Sequence, residues 1–206
     1  MGKSDTFHHG DLRNALVAAA VQWLTANDAS SLSLRQVARS AGVSSGAPYH
    51  HFKTRADLLL AVAVEGFVAL GQAIHEAERS TSRPALRFER RIAAYIQFAV
   101  SHPGHYRVMF HEELRKVASP TTYEEIARGS FDSLVDAVRA LRPDLSLVDA
   151  RGLALTTWSA AHGAAMLEID GLGAALGVAI RNGRSSVVEL TARNVRLAVE
   201  HGVGAV

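Results

Sequence analysis

Apolar positions in this chain recur three and four residues apart, with polar residues between them, and this spacing predicts an all-α protein. Residues 11–26 are amphipathic, with Leu12, Leu16, Ala19, Ala20, Trp23 and Leu24 on one side. A second long helix is predicted from Arg55 to about Glu78. It begins with a cap near Thr54 and runs apolar through Leu58, Leu59, Val62, Phe67 and Leu70. Further helices are expected at about 85–101, 104–117, 121–141, 147–169 and 185–201, with Pro103, Pro120 and Pro143 near the breaks. The Ser80–Pro84 segment, STSRP, reads as a linker and a domain boundary. No strand pair and no internal repeat stands out.

Between the first two long helices lies the most informative stretch, SLSLRQVARSAGVSSGAPYHHFKTRADLL. Ser33 can cap a helix, its hydroxyl accepting from an otherwise unpaired backbone N–H. Leu34, Val37, Ala38 and Ala41 make one apolar stripe, and Arg35, Gln36 and Arg39 fall off it. Gly42 stops this helix, because glycine enters the left-handed conformation without a side-chain penalty. Val43 can plug the crease to the next element. A second helix of about two turns, Gly46 to Phe52, is predicted to follow. Ser45 is preferred to Ser44 as its cap because Pro48 then sits in the first turn, where its missing N–H costs no helical bond. Ser45, Ala47, Tyr49, His50 and Lys53 make a poor core face and a good groove face. Small residues allow close approach to base edges, while Tyr, His and Lys supply phosphate donors. Phe52 is the expected inward anchor. Two helices joined by a tight turn, the second built this way, make a helix-turn-helix. A capped helical hairpin with a solvated outer face is the plainer alternative.

This string resembles the N-terminal domain of TetR-family transcriptional regulators over roughly residues 10 to 65. The matching pattern is Leu-Arg-x-Val-Ala from Leu34, Ala-Gly-Val-Ser from Ala41, Tyr-x-His-Phe from Tyr49, then Lys53 and Leu58-Leu59. Pro48 departs from the Leu, Ile or Val more usual in the family. It is familiar in a branch with a C-terminal Trp…His-Gly signature, which Trp158, His162 and Gly163 fit. The resemblance implies an all-helical homodimer, with a DNA-binding head (1–54) and a helical ligand-sensing and dimerisation body (55–206). By position it implies phosphate contacts from Tyr49 and Lys53. Ser45, Ala47 and His50 would lie nearest the bases or their flanking phosphates, with backbone contacts from Ser33 and Arg35. His51 matches the motif's constant histidine and has a partly structural role, packing toward the first helix.

Charge agrees with this division. Residues 1–60 hold six Lys/Arg and four Asp/Glu, and residues 61–206 hold sixteen of each, so the whole formal excess of +2 lies in the head. His8, His9, His50 and His51 are also there. Two net charges are a small footprint that alone would not point to nucleic acid. Lys3 and Arg13 are expected to add contacts near the start of the first helix. The chain has no cysteine, which excludes a disulfide framework and thiolate metal sites. The N-terminal MGKSDTFHHGDLR lacks the apolar core of a signal peptide, and no uninterrupted apolar run approaches 18 residues, the Gly171–Ile180 stretch being too short. The expected address is the cytoplasm.

In the body, Tyr95, Phe98, His105, Tyr106, Met109, Phe110, Trp158 and His162 are candidate effector-lining residues, since regulatory pockets are lined by large side chains with a few polar ones among them. Trp158 and His162 are four apart on one helix face. Plain core packing is the alternative for each. The last helix has two apolar stripes, Val187, Leu190 and Leu197, and Val188, Ala192, Val195 and Val199, where one would serve a monomer surface. The 147–169 helix offers Ala150, Ala154, Thr157, Ala161 and Ala164 as a close-packing face. A homodimer through these two helices would read a palindromic operator, one half per head. The function expected is a repressor released by a small, mainly apolar effector, with no cofactor. A helical protein-interaction adaptor is the main rival, and it leaves the Tyr49–Lys53 cluster without a purpose. His102, His105, His111, Glu112 and Glu113 suggest a metal-binding protein, but position 115 is Arg where the zinc helix needs His. No nucleophile elbow, phosphate loop or dinucleotide fingerprint is present, so an enzyme is not expected.

Overall fold

A computed structural model describes residues 9–117, 120–175, 180–181 and 184–202. The order is α1 (His9–Leu24), α2 (Leu34–Ser40), α3 (Arg55–Arg79), α4 (Pro84–Ser101), α5 (Pro103–Met109), α6 (Glu112–Val117), α7 (Pro120–Leu141), α8 (Leu147–Ile169), α9 (Leu172–Ala175) and α10 (Ser186–His201). The long helices predicted from the spacing are all present. Three local expectations are corrected. The single helix expected over 104–117 is two, because the His111 N–H closes α5 on the Val108 carbonyl at 3.0 Å and the His111 ring then accepts from the Glu113 N–H at 3.3 Å to start α6. A strand pair does occur, Ile180–Arg181 (β1) against Arg184–Ser185 (β2), antiparallel with Ile180 opposite Ser185. The third correction concerns the predicted second helix and is described with the site.

The chain divides into two compact units, residues 1–66 with 103–125, and residues 67–102 with 126–206. The Ser80–Pro84 segment therefore joins two helices of the same unit.

In the first unit α1 packs on α2, and Leu16, Val17, Ala20 and Leu24 of α1, Leu34, Val37 and Ala38 of α2, and Leu58, Leu59 and Val62 of α3 are all buried. Arg55 fixes this assembly. Its guanidinium donates to the Ala29 and Ser30 carbonyls at 3.0 and 2.6 Å and pairs with Glu113. Asp28 shapes the turn before it, accepting from the Ser30 N–H at 2.7 Å, and hydrogen bonding to the Ser30 side chain, then to its backbone, holds the carboxylate below the usual range. Thr54 and Asp57 cap α3 reciprocally, the Thr54 N–H donating to Asp57 at 2.8 Å and the Asp57 N–H to the Thr54 hydroxyl at 3.2 Å. α5 lies on the end of α1 at Gly104, where backbone meets backbone. A Cβ there would stand 2.6 Å from the Val21 carbonyl oxygen.

In the second unit, α8 packs on α4 and α10. Ser146 caps α8, accepting from the Asp149 N–H at 3.2 Å. Ala150, Ala154, Thr157, Ala161 and Ala164 are all buried there. The small-residue face expected to meet a second copy is thus consumed inside the chain, where short side chains let three helices approach closely. Arg196 ties α10 to Glu89 of α4 at 2.6 Å. By length and a mean hydropathy of 1.7, α3 would suit a membrane span. Its burial of Leu58, Leu59, Val62, Phe67 and Leu70 accounts for that composition as helix core.

Candidate nucleic-acid interface and body sites

The interface begins at α2. Ser33 caps it as expected, accepting from the Gln36 N–H at 3.2 Å and donating to Gln36 Oε1 at 2.9 Å, so its hydroxyl is committed within the chain. Gly42 has φ +70°, its N–H bonding the Arg39 carbonyl while the Val43 N–H reaches back to Ala38 at 3.0 Å. These two bonds close the helix end and turn the chain sharply.

The next element is shorter and tighter than the predicted two-turn α-helix. Ala47–His50 form one 3-10 turn, and the cap is Gly46, with no side-chain cap from Ser44 or Ser45. Pro48 is the reason. It has no N–H to give the Ser44 carbonyl, and that oxygen is taken instead by the Ala47 N–H at 3.0 Å. Tyr49 to Gly46 and His51 to Pro48 continue the three-residue spacing, and the Phe52 N–H adds one four-residue bond to Pro48 at 2.9 Å. Pro48 and Phe52, four apart, are buried; Phe52 is the anchor expected, and Pro48 is a second one the sequence reading missed. With those two inward, Tyr49, His50 and Lys53 face out, Tyr49 being 51% exposed. Ser45 and Arg35 are exposed, and Ala47 and His51 half-buried. Arg13 is exposed with its guanidinium 5.5 Å from the Phe52 ring centre. Lys3 lies outside the described residues. The surface can therefore donate from Arg35, Tyr49, His50 and Lys53 to an anionic partner, over a backbone held rigid by two buried anchors.

The eight candidate effector residues fall in both units. Tyr95, Phe98, Trp158 and His162 belong to the second. The Trp158 indole N–H donates to the Tyr95 hydroxyl at 2.9 Å, and that oxygen lies 3.1 Å from His162 Nδ1. The Trp158 and His162 rings meet edge to face, 5.5 Å apart. Burial pushes the His162 pKa below its ordinary value, so the neutral ring is favoured, and with its proton on Nε2 the Tyr95 hydroxyl donates to Nδ1. Below a pH of about 6.5 the unfolded histidine takes up a proton that the folded one resists, so stability is lost as pH falls and is fully present above that value. Denaturation midpoints measured from pH 7.5 down to 5.5 should decline, and His162→Gln should decline less steeply; equal slopes would remove His162 from the effect.

His105, Tyr106, Met109 and Phe110 belong to the first unit. His105 Nε2 lies 3.1 Å from Glu65, and Met109 packs where a Gly66 Cβ would be, 2.7 Å from its sulfur. Tyr106 stacks edge-on against Phe110. The neighbouring histidines of the suggested metal cluster are engaged separately, His102 stacked on Phe98 at 4.6 Å and His111 at the start of α6. Among the described residues no three metal-ligating side chains converge.

Described residues of the second unit also line two clefts. One, of about 430 Å³, is walled by α3, α4 and α7 through residues including Phe67, Leu70, Ile74, Arg91, Ile126 and Ser133. The other, of about 610 Å³, runs between α3 and α4, and Phe98 is the candidate that borders it. None of the eight candidates lines the first. Its residues escaped notice because they are spread over three helices, one or two per turn, with no local motif.

These features define a helix-turn-helix protein whose second unit is a helical body. Residues 16–62 match the family described as bacterial regulatory proteins, tetR family, and residues 88–179 match the tetracyclin repressor-like C-terminal domain. The chain belongs to the TetR family of DNA-binding transcriptional regulators. A Rhodococcus sp. RHA1 protein of unknown function is 31% identical, with 97% of this chain and 98% of that one covered and a TM-score of 0.77. A tetR-family regulatory protein of Rhodococcus RHA1, 23% identical over 91% and 95% of the two chains (TM-score 0.66), shares the fold. So does the regulator PfmR of Thermus thermophilus, 15% identical over 92% and 99% (TM-score 0.67).

Proposed function

We propose that this protein is a cytoplasmic, non-enzymatic repressor that binds a palindromic operator as a homodimer and is released by a small, mainly apolar effector. The observation that carries the DNA half is the outward set of Tyr49, His50 and Lys53 above the buried pair Pro48 and Phe52. Tyr49 and Lys53 take phosphates, Ser45, Ala47 and His50 lie nearest the bases, and Arg35 reaches the backbone from α2. Ser33 acts beside it, its hydroxyl spent on the cap. Residues 1–54 form the reading head and 55–206 the sensing and dimerising body. The effector is taken up among the body helices, with Tyr95, Phe98, His105, Tyr106, Met109, Phe110, Trp158 and His162 as candidate responders. α3 then shifts and alters the spacing of the two heads. Because both half-sites must be met together, a small change of spacing costs much affinity.

Two adjoining exposed faces support the dimer. On α8, Val148 (79% exposed) and Leu155 (51%) line up with Gly152, Ser159 and Gly163. On α10, Val188, Ala192, Val195 and Val199 are buried, while Leu190 stays 51% exposed and Leu197 half-buried. That is the second stripe left for a partner.

Lys53→Ala tests the contact assignment. Affinity should fall by a similar factor on every duplex, and the slope of log affinity against log salt should flatten by about 1 per bound subunit. An unchanged slope would remove Lys53 from the phosphate contacts.

A further inference from the structure

We infer that the cleft between α3, α4 and α7 binds an organic anion, a carboxylate on an apolar body, with Arg91 as its receptor. The inference rests on the proposal that the body takes a small effector, and it gives that effector a chemical class and a place. Arg91 is largely buried, with 12% of its side chain exposed. Its Nε donates to Glu78 at 2.6 Å. Its two terminal nitrogens both point at one atom, the Ser133 hydroxyl oxygen, each at 3.1 Å. A guanidinium fork is shaped for two oxygens side by side, and here a single neutral oxygen answers two charged donors. A carboxylate in the cleft supplies the missing acceptor and accepts from Ser133 as well.

Among the described residues, Glu78 is the one acidic group lining the cleft, and it is shared between Arg91 and Arg87, the latter at 3.9 Å. Arg87 lies outside the lining, but its pull on Glu78 weakens that carboxylate's hold on Arg91, the cation that faces the cleft. Phe67, Leu70, Ile74 and Ile126 also line the cleft, and they suit an apolar body. A cleft of about 430 Å³ holds a molecule of modest size.

The test is calorimetric titration of the full chain with decanoate and 4-phenylbutyrate, against decanamide and 4-phenylbutyramide, which share their shapes without the charge. At least one carboxylate should bind saturably and at least about tenfold more tightly than its amide. Arg91→Gln should abolish that preference. Because Arg91→Gln also removes an ion pair, Glu78→Gln is the second variant. It frees the guanidinium from its competing carboxylate, so it should tighten carboxylate binding several-fold and leave the amides unchanged, which a folding defect would not do. Amides binding as well as acids, or Glu78→Gln without effect on the acids, would overturn the anion site. So would no saturable binding by either carboxylate. DNA anisotropy with the bound carboxylate reads the effector proposal separately. Binding that leaves operator affinity unchanged keeps the anion site and refutes its role as the releasing signal.

Discussion

Gly104→Ala should destabilise the protein by about 3 kcal/mol, the upper end of what one added methyl costs in a packed interior. The new Cβ would lie 2.6 Å from the Val21 carbonyl oxygen, 3.3 Å from the Thr25 nitrogen and 3.5 Å from the Leu24 carbonyl carbon. All three are backbone atoms at the end of α1, so no side chain can rotate away. Either α5 lifts off or α1 bends, and α1 braces the helix-turn-helix, so DNA binding should weaken along with stability. Gly129→Ala is the control. It lies in the middle of α7 with open space around it, and there alanine should stabilise by up to about 1 kcal/mol. Urea denaturation followed by circular dichroism measures both. A Gly104→Ala midpoint equal to wild type would show that α5 does not rest on α1 as closely as described.

Leu155→Asp should turn the proposed dimer into monomers and weaken operator binding by about 10²- to 10³-fold. Leu155 sits in the middle of the exposed α8 face, and α8 packs on α10. In the monomer the substitution is harmless, because the side chain is already half in water. In a dimer it puts a carboxylate into an apolar contact across the two-fold axis, opposite or near its own copy. An unpaired charge so placed costs about 3–5 kcal/mol, and a lone head keeps one half-site. Sedimentation should give a monomer of unchanged helicity. A variant that remains dimeric would move the interface elsewhere on the surface.

Helix positions were legible because burial writes a 3.6-residue period into the sequence, and α4, α7 and α10 made that plain. The Ser33 cap, the Gly42 stop and the Thr54 cap were legible because each depends on one residue's chemistry at one position. What lay outside reach had non-local causes. The pattern gave Pro48 a first-turn role, but its burial depends on how its turn packs on α2. The Ala150–Ala164 face was visible as a close-packing surface. Whether it met a second copy or α4 and α10 was a question of tertiary arrangement that spacing does not answer. Trp158 and His162 announced themselves by spacing, whereas Tyr95 joined them from another helix, 63 residues earlier. Arg91, Glu78 and Ser133 carried no signal at all, since a charged residue on a long amphipathic helix ordinarily faces water.

The central claim is that the face around Tyr49, His50 and Lys53 reads duplex DNA in pairs. Selection of binding sites from a pool of random duplexes, followed by anisotropy titration of the enriched sequence over a salt series, tests it most directly. The account predicts enrichment of a two-fold symmetric site. Its affinity should fall with a log–log salt slope of at least about −3.6, from Arg35 and Lys53 on each of two heads at about 0.9 per phosphate. No enrichment, together with no binding to any duplex at low salt, would contradict it and return the helical adaptor to first place.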